Sequence, residues 1–251
     1  MNSKLSYPGS LHNHTHYSNL RLRDCIIKEK DLIDYAIELG HDIVAITDHE
    51  TIASHVKVQK YYKKVKEEHP DFKVILGNEI YLVRNGLNAD NFNKDFDRYY
   101  HFILLAKDAV GHQQIREIST RAWHRSYMAR GMRRVPTYYQ DLFDVIGKNP
   151  GHVIGSTACL GGAIPTQLLK NKDLKSAELA DKIVKWCLQM KDLFGKDNFY
   201  LELQPNESRE QTYVNRQLIG LSNLLDIPYI ITTDSHYLKK EDAKIHEAFL
   251  N

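Results

Sequence analysis

Histidines stand in pairs, or beside carboxylates, at three places in this chain. They are Leu11-His12-Asn13-His14-Thr15-His16, Thr47-Asp48-His49 after the apolar run Asp42-Ile43-Val44-Ala45-Ile46, and Thr232-Thr233-Asp234-Ser235-His236 after Tyr229-Ile230-Ile231. Neutral imidazole and carboxylate are donors that divalent zinc, manganese and iron accept. Alternate side chains of a strand share a face, so His12 with His14, and Asp234 with His236, each present two donors to one side. Structural readings compete at single positions. A lone His-x-His is commonly an accident of strand or turn sequence, and Asp48 could cap the helix that follows it. Two same-side pairs at distant strand ends are not what such accidents predict. The pattern implies an active site that holds several metal ions and is assembled from strand ends.

Short β-type runs alternate with helical patterns along the chain. Strands are expected at Ser10–His14, Ile43–Thr47, Lys73–Gly77, His101–Ala106, Val153–Ser156, Phe199–Leu203 and Tyr229–Thr233. Helices are expected at Lys28–Leu39, His55–Glu68, Ala177–Phe194 and Arg209–Leu225. Gly40, Gly77 and Gly195 stand where elements should stop, and Pro228 opens the last strand. Such alternation implies a mostly parallel sheet. Seven strands with polar residues at their carboxyl ends favour a closed or distorted barrel over an open sheet. Arg84–Arg98 reads as a surface loop.

Composition sets ordinary bounds. At 251 residues and 42% hydrophobic content, the chain can bury a sizeable core as one α/β barrel domain. A formal net charge of +2 is too small to imply a nucleic-acid or membrane partner, so any such partner must rest on a local patch. Three cysteines, Cys25, Cys159 and Cys187, suit a reducing cytoplasm better than a disulfide framework. The first residues lack the apolar segment of a signal peptide, and no apolar run approaches membrane-spanning length.

Six motifs occur in a recognisable order: Leu11-His12-Asn13-His14-Thr15, Ile46-Thr47-Asp48-His49, Gly77-Asn78-Glu79, Tyr100-His101, Ala158-Cys159-Leu160-Gly161-Gly162 and Thr233-Asp234-Ser235-His236-Tyr237-Leu238. From about residue 10 to the end, the chain resembles the PHP (polymerase and histidinol phosphatase) family. It is most similar to the amino-terminal PHP domain of bacterial DNA polymerase III alpha subunits. The Cys-Leu-Gly-Gly element and Phe199-Tyr200-Leu201-Glu202-Leu203-Gln204 point to that polymerase branch. The resemblance implies a distorted (β/α)7 barrel, with residues 1–251 forming one PHP domain, either the amino-terminal part of a longer polymerase chain or a free-standing module. It also implies a metal site of nine residues: His12, His14, Asp24, His49, Glu79, His101, Cys159, Asp234 and His236. Glu79 would bridge two metals, His101 and Cys159 would complete one of them, and Asp24 follows Leu20–Arg23, which reads as a short insertion. Taken alone, Glu79 could be a surface carboxylate, Cys159 a buried small hydrophobe and His101 a core histidine. His101 precedes its apolar run whereas the other ligands follow theirs, so the barrel should be irregular there. His16, His41, His55, His69, His112, His124, His152 and His246 read as surface or structural.

Two or three divalent cations (zinc, manganese or iron) close together can hold a hydroxide at neutral pH and stabilise both oxygens of an in-line displacement at phosphorus. Metal-assisted phosphoester hydrolysis is the reaction class, and the resemblance narrows it to 3′–5′ proofreading exonuclease activity. The implied partners are a single-stranded or frayed DNA 3′ end and a polymerase catalytic region in cis or trans, with no membrane and no polymerisation by these residues themselves. A small-molecule phosphatase of the histidinol-phosphatase type and a non-catalytic structural module of a polymerase are the alternatives. Arg116–Arg134 interleaves six arginines with Trp123 and Tyr127, a composition suited to a single strand. Arg130, Arg133 and Arg134 are its candidate DNA contacts, against the alternative of an amphipathic helix with its aromatics packed inward.

Overall fold

The computed structural model describes residues 9–20, 23–83, 99–129, 131–170 and 177–250. Its strands are β1 (Gly9–Ser10), β2 (Ile43–Ile46), β3 (Lys73–Val83), β4 (Tyr99–Ala106), β5 (Tyr127–Ala129), β6 (Met132–Arg134), β7 (Pro136–Thr137), β8 (Val153–Ser156), β9 (Phe199–Leu203) and β10 (Tyr229–Ile231). The helices are α1 (Glu29–Glu38), α2 (His55–Glu68), α3 (Ala109–His124), α4 (Tyr139–Leu142), α5 (Ala163–Lys170), α6 (Ala177–Phe194), α7 (Arg209–Leu225) and α8 (Ala243–Leu250). Arg84–Arg98, residues 21–22 of the expected insertion, and Arg130 lie outside the described residues. No helix is long and apolar enough to cross a membrane among the described residues.

Seven strands follow one another in the order β1-β2-β3-β4-β8-β9-β10, with β7 paired to β3 off that path. The sheet curls until its ends meet. Beyond β1 and β10, Asn13 bridges Ser235, with the His14 amide donating to the Ser235 carbonyl at 3.0 Å and the Ser235 amide to the His12 carbonyl at 3.2 Å. This is the distorted (β/α)7 barrel expected from the sequence.

The sheet is mostly parallel, as the alternation implied, and the exception is β4, which runs antiparallel to both β3 and β8. The cause is the length of β3. Its first four residues pair in parallel with β2, and it then continues from Gly77 to Val83 against Leu105 to Tyr99 of β4. The reversal brings the amino end of β4 to the mouth where the other strands place their carboxyl ends. That is why His101 precedes its apolar run.

Period-two alternation divides the strands into two apolar faces. Val44 and Ile46 of β2 pack outward with Leu32, Ile33 and Ala36 of α1 and Val58 and Val65 of α2. Tyr100, Phe102 and Leu104 of β4 pack outward against α3 and α6, where Phe102, Phe194 and Phe199 stack with centroids 5.6 to 6.3 Å apart. Each such buried side chain contributes about 1.5–3 kcal/mol. The inward residues Ala45, Ile103 and Leu105 form a smaller apolar cluster with Ala158. This cluster is the floor beneath the polar mouth.

Helix α3 begins at Asp108, whose carboxylate accepts from the Gly111 amide at 2.9 Å. It ends at His124, and β5 pairs antiparallel with β6 immediately afterwards. The described residues of 116–134 are therefore a helix followed by two paired strands rather than one amphipathic helix. A Cβ added to Gly111 would lie 1.9 Å from the His152 carbonyl oxygen, whereas one on Gly220 in α7 would meet nothing within 4 Å. In urea denaturation, Gly111→Ala should lose about 3 kcal/mol. Gly220→Ala should gain about 0.5–1 kcal/mol through helix propensity.

His55 opens α2 as a buried structural histidine. Its Nε2–H donates to the Gly77 carbonyl at 2.9 Å, so Nδ1 accepts from His112 Nε2 at 3.1 Å. Burial, reinforced by His112, lowers its pKa to about 4. The unfolded chain, titrating near 6.5, takes up this proton while the native state refuses it, so stability falls as pH drops through that window. The expected loss is about 2 kcal/mol between pH 7 and pH 5. In chemical denaturation, His55→Gln should show a shallower pH slope than the parent.

Candidate metal centre

The inward positions of β3 and β4 alternate from the apolar floor up to the mouth: Glu79 and Tyr81 on β3 stand beside Ile103 and His101 on β4. The chain leaving β2 is tied to β3 by a bridge between His49 and Glu79. The Glu79 amide donates to the Asp48 carbonyl at 3.2 Å, and the Glu50 amide to the Glu79 carbonyl at 2.8 Å. The turn carrying Cys159 is pressed against β4, with the His101 amide donating to the Gly161 carbonyl at 3.1 Å. A Cβ on Gly162 would stand 2.0 Å from the Thr157 carbonyl oxygen, so only glycine lets this turn close. Three non-glycine residues at the mouth hold positive φ: Glu50 (55°) after His49, Ala158 (56°) before Cys159, and Asp234 (52°) itself. Such conformations cost on the order of 1 kcal/mol or more each and persist where the surroundings enforce them.

All nine residues singled out in the sequence converge at this mouth. His12, His14, Glu79 and Asp234 form one group of donors, His14, His49 and His236 a second, and Glu79, His101 and Cys159 a third, with the donor atoms of each group within 4.8 Å of one another. Asp24 joins through Oδ2, 2.7 Å from His49 Nε2 and 3.2 Å from His236 Nε2. His14 and Glu79 each belong to two groups.

The donor geometry fits cations better than it fits hydrogen bonds. Glu79 is fully buried. Its Oε2 lies 2.7 Å from His49 Nδ1 and 3.1 Å from His14 Nε2, and its Oε1 lies 2.6 Å from His101 Nδ1. Neither oxygen nevertheless has a hydrogen-bond partner of acceptable geometry. The outer nitrogens explain what faces inward. His12 Nδ1 meets Glu202 Oε1 at 2.6 Å, His14 Nδ1 meets Ser18 Oγ at 3.1 Å, and His236 Nδ1 meets the Asp234 carbonyl at 2.9 Å. With protons on those outer atoms, each Nε2 turns a lone pair inward. The Nε2 atoms of His12 and His14 are then 3.2 Å apart, and Asp234 Oδ1 lies 3.1 Å from both. A divalent cation would relieve this meeting of lone pairs.

Protons are the alternative relief. Burial lowers the His49 pKa, but Glu79 and Asp24 overcome it and raise it to about 10. Burial raises Glu79, but His49 and His101 hold it well below the usual carboxylate range. Burial, together with the Asp234 and Glu79 charges, pushes the Cys159 thiol up. Cation uptake would therefore displace protons.

Several functional positions escaped the sequence reading. Glu202 is buried and holds His12 Nδ1 while accepting from Ser156 Oγ and Thr232 Oγ1, both at 2.5 Å. Its signal was a carboxylate inside the apolar strand Phe199–Leu203. Asp48 does not cap α2. It is buried and accepts from the Thr15 amide at 2.7 Å, Ser18 Oγ at 3.0 Å and Ser54 Oγ at 2.6 Å, which fastens the loops bearing His14 and His49. Tyr81 and Ser18 join Asp24, His49, His101, Asp234 and His236 around a cavity of about 210 Å³.

The basic segment divides by role. Arg121 pairs with Glu117 at 2.6 Å and Arg125 with Asp141 at 2.5 Å. Trp123 Nε1 donates to the Glu50 carbonyl at 2.8 Å, and the Tyr127 and Tyr99 hydroxyls meet at 2.5 Å. These side chains brace the fold. On β6, Arg133 is exposed and Arg134 lies 5.9 Å over the Tyr99 ring.

The PHP domain profile matches residues 10–206. Over 96% of its length the chain is 40% identical to a DNA-directed DNA polymerase of Bacillus phage SPbeta. Over 96% it is also 32% identical to the DNA polymerase III subunit alpha of Aquifex aeolicus. In both cases it spans 19% of the relative, about a fifth of its length. Among solved structures it shares its fold with a protein from Bifidobacterium adolescentis described as a metal-dependent phosphoesterase, at a TM-score of 0.51 and 14% identity over 96% of each chain.

Proposed function

The chain belongs to the PHP domain family, and from that premise we propose that its converging donors hold two or three divalent cations and hydrolyse phosphoesters at a DNA 3′ end. The observation that carries this reading is Glu79, a buried carboxylate shared by two donor groups and without a hydrogen bond of its own. His12, His14, Glu79 and Asp234 would hold one cation. His14, His49 and His236, with Asp24, would hold another, and Glu79, His101 and Cys159 a third. Zinc, manganese and iron all accept this donor set. Bound there, the cations would supply a water nucleophile at neutral pH and offset charge on the phosphoryl group.

The protein's own residues define the rest. Glu202 and Ser18 fix which nitrogens of His12 and His14 face inward. The cavity of about 210 Å³ is smaller than the roughly 300–1,000 Å³ typical of small-molecule sites, and cations would fill part of it. It suits a phosphate group and the atoms beside it, with the remainder of the substrate outside, which favours the end of a strand over its middle. Arg133 and Arg134 on the β5–β6 hairpin, with Arg130 between the two strands in sequence, would neutralise the phosphates behind that end. Removal of 3′ nucleotides is work that belongs beside a polymerase, and the relatives at 40% and 32% identity are DNA polymerases. On this reading residues 1–251 form one PHP domain that serves a polymerase region in cis or trans.

The test joins metal analysis to digestion of 5′-labelled single-stranded and frayed primers. Bound cation with stepwise loss from the 3′ end is the expected result. Hydrolysis confined to small phosphomonoesters would replace the exonuclease with a small-molecule phosphatase, and full occupancy without hydrolysis would leave a structural module. If Arg130, Arg133 and Arg134 changed together to Ser leave the salt dependence of DNA binding unaltered, the hairpin is not part of the path.

A further inference from the structure

We propose that His246 is a positioning residue of the cation centre: by donating from Nε2 to the Asp24 carbonyl, it aims the Asp24 carboxylate at His49 and His236. This rests on the cation-binding reading above and accounts for the one donor of the nine that no strand supplies.

His12 and His14 follow β1, His49 follows β2, Glu79 and His101 lie in β3 and β4, Cys159 follows β8, and Asp234 and His236 follow β10. Asp24 comes instead from the connection between the 3₁₀ turn His16–Leu20 and α1. A residue at a strand end inherits its direction from the ladder of the sheet. A residue in a connection must be ordered by contacts of its own, against the entropy of a free backbone.

Two side chains meet that need. Asn19 Oδ1 accepts from the Asp24 amide at 2.9 Å and from the Cys25 amide at 2.8 Å, while Asn19 Nδ2 donates to the Cys25 carbonyl at 2.8 Å. The Asp24 carbonyl is met from α8, where His246 Nε2 reaches it at 2.6 Å across 222 residues of sequence. A carbonyl can only accept, so the proton stands on Nε2. The backbone of Asp24 is thus clamped at its amide by one side chain and at its carbonyl by another. Beyond it, the Cys25 thiol and the Ile26 amide both donate to the His236 carbonyl at 3.3 Å. From this anchored backbone the carboxylate places Oδ2 2.7 Å from His49 Nε2 and 3.2 Å from His236 Nε2.

The His246 ring lies 6.0 Å from the His236 ring and 5.4 Å from the Tyr237 ring, so it stands against the segment that carries another donor. Helix α8 buries none of its residues, and His246 is therefore not a piece of apolar core. Its bond does more than fasten the helix, because the acceptor belongs to a residue whose carboxylate would complete the group of His14, His49 and His236. Orientation of a ligand from outside in this way governs affinity for the cation.

His246→Phe keeps a ring beside His236 and Tyr237 and removes the donor, whereas His246→Gln returns an N–H near the position of Nε2. Because α8 buries no residue, neither change opens the core. Manganese binding is measured by calorimetry for each variant, alone and combined with Asp24→Ala. Alone, His246→Phe should weaken one class of manganese site about 10-fold, the low end for an outer partner, and His246→Gln should recover most of that loss. Combined with Asp24→Ala, His246→Phe should weaken binding no further, since the carboxylate it aims is gone. Wild-type manganese affinity in His246→Phe overturns the proposal. So does an equal loss with and without the Asp24 carboxylate, which would make His246 a strut for the helix. No manganese uptake by the wild type overturns the cation reading and this proposal with it. If binding follows the expected pattern while neither DNA nor phosphomonoester is cleaved, the hydrolytic reading fails and the positioning role of His246 stands.

Discussion

Glu79→Gln should empty two of the three donor groups of cation and abolish hydrolysis while leaving the barrel folded. Both carboxylate oxygens face imidazole nitrogens, at 2.6 Å for His101, 2.7 Å for His49 and 3.1 Å for His14, and the carboxylate belongs to two donor groups at once. Glutamine matches the shape but offers one oxygen instead of two and no charge. The fall in cation affinity should exceed the roughly 10–100-fold that removal of an outer partner costs, because a shared inner ligand is lost. The backbone should tolerate the change, since the Glu79 amide and carbonyl, not its side chain, form the bridge to His49. The variant also tests what the carboxylate does when no cation is present. It is one of the two charges that raise His49 to about 10, against the burial that lowers it, so in the variant His49 should titrate lower. Metal analysis and thermal melts with and without chelator separate these effects. Chelation should lower the wild-type melting temperature and leave that of Glu79→Gln nearly unmoved. A variant that keeps its full cation content would show that Glu79 is no ligand.

What the sequence disclosed, and what it hid, divides along the range of the interactions. Val153–Ser156, Phe199–Leu203, His55–Glu68, Ala177–Phe194 and Arg209–Leu225 stand where local periodicity places them. The signals there are a strand buried on both faces, or a helix with one apolar stripe, and both are written within ten or so residues. The direction of β4 is not a local property. It follows from β3 running seven residues past the end of its pairing with β2, at Leu76, to Val83, and nothing in Lys73–Val83 marks where one partner gives way to the other. The nine candidate donors came from motif order and the family resemblance, and the structure adds that they converge at one mouth. Glu202, Asp48 and Tyr81 were less legible. A buried carboxylate that accepts from Thr and Ser hydroxyls of other strands looks, in one dimension, like any acidic residue in a strand or at a helix start. Their partners lie 30 or more residues away in sequence: Asp48 with Thr15 and Ser18, Glu202 with Ser156 and His12.

Glu202→Gln should weaken cation binding by roughly 10–100-fold although Glu202 touches no cation position. Four chain segments meet at this buried carboxylate. His12 Nδ1 lies at 2.6 Å, Ser156 Oγ and Thr232 Oγ1 both donate at 2.5 Å, and Gln204 Nε2 stands at 3.4 Å. As a carboxylate it accepts from every partner, so His12 must carry its proton on Nδ1 and turn the Nε2 lone pair toward His14 and Asp234. An amide in its place supplies one oxygen and one NH2. If the oxygen faces His12, the Ser156 hydroxyl loses its acceptor, and a buried unsatisfied group costs about 1–3 kcal/mol. If the NH2 faces His12 instead, Nδ1 must accept, the proton moves to Nε2, and an N–H is aimed where a cation would sit. Either orientation is destabilising, but only the second removes a ligand. The control is Ser156→Ala, which keeps the charge and the His12 tautomer. It should lower stability by about 1 kcal/mol without changing cation content. If Glu202→Gln and Ser156→Ala lose the same stability and neither loses cation, Glu202 is a strut between strands. If the glutamine variant alone loses cation, the carboxylate sets the tautomer of His12 and, through it, the lone-pair geometry of the whole centre.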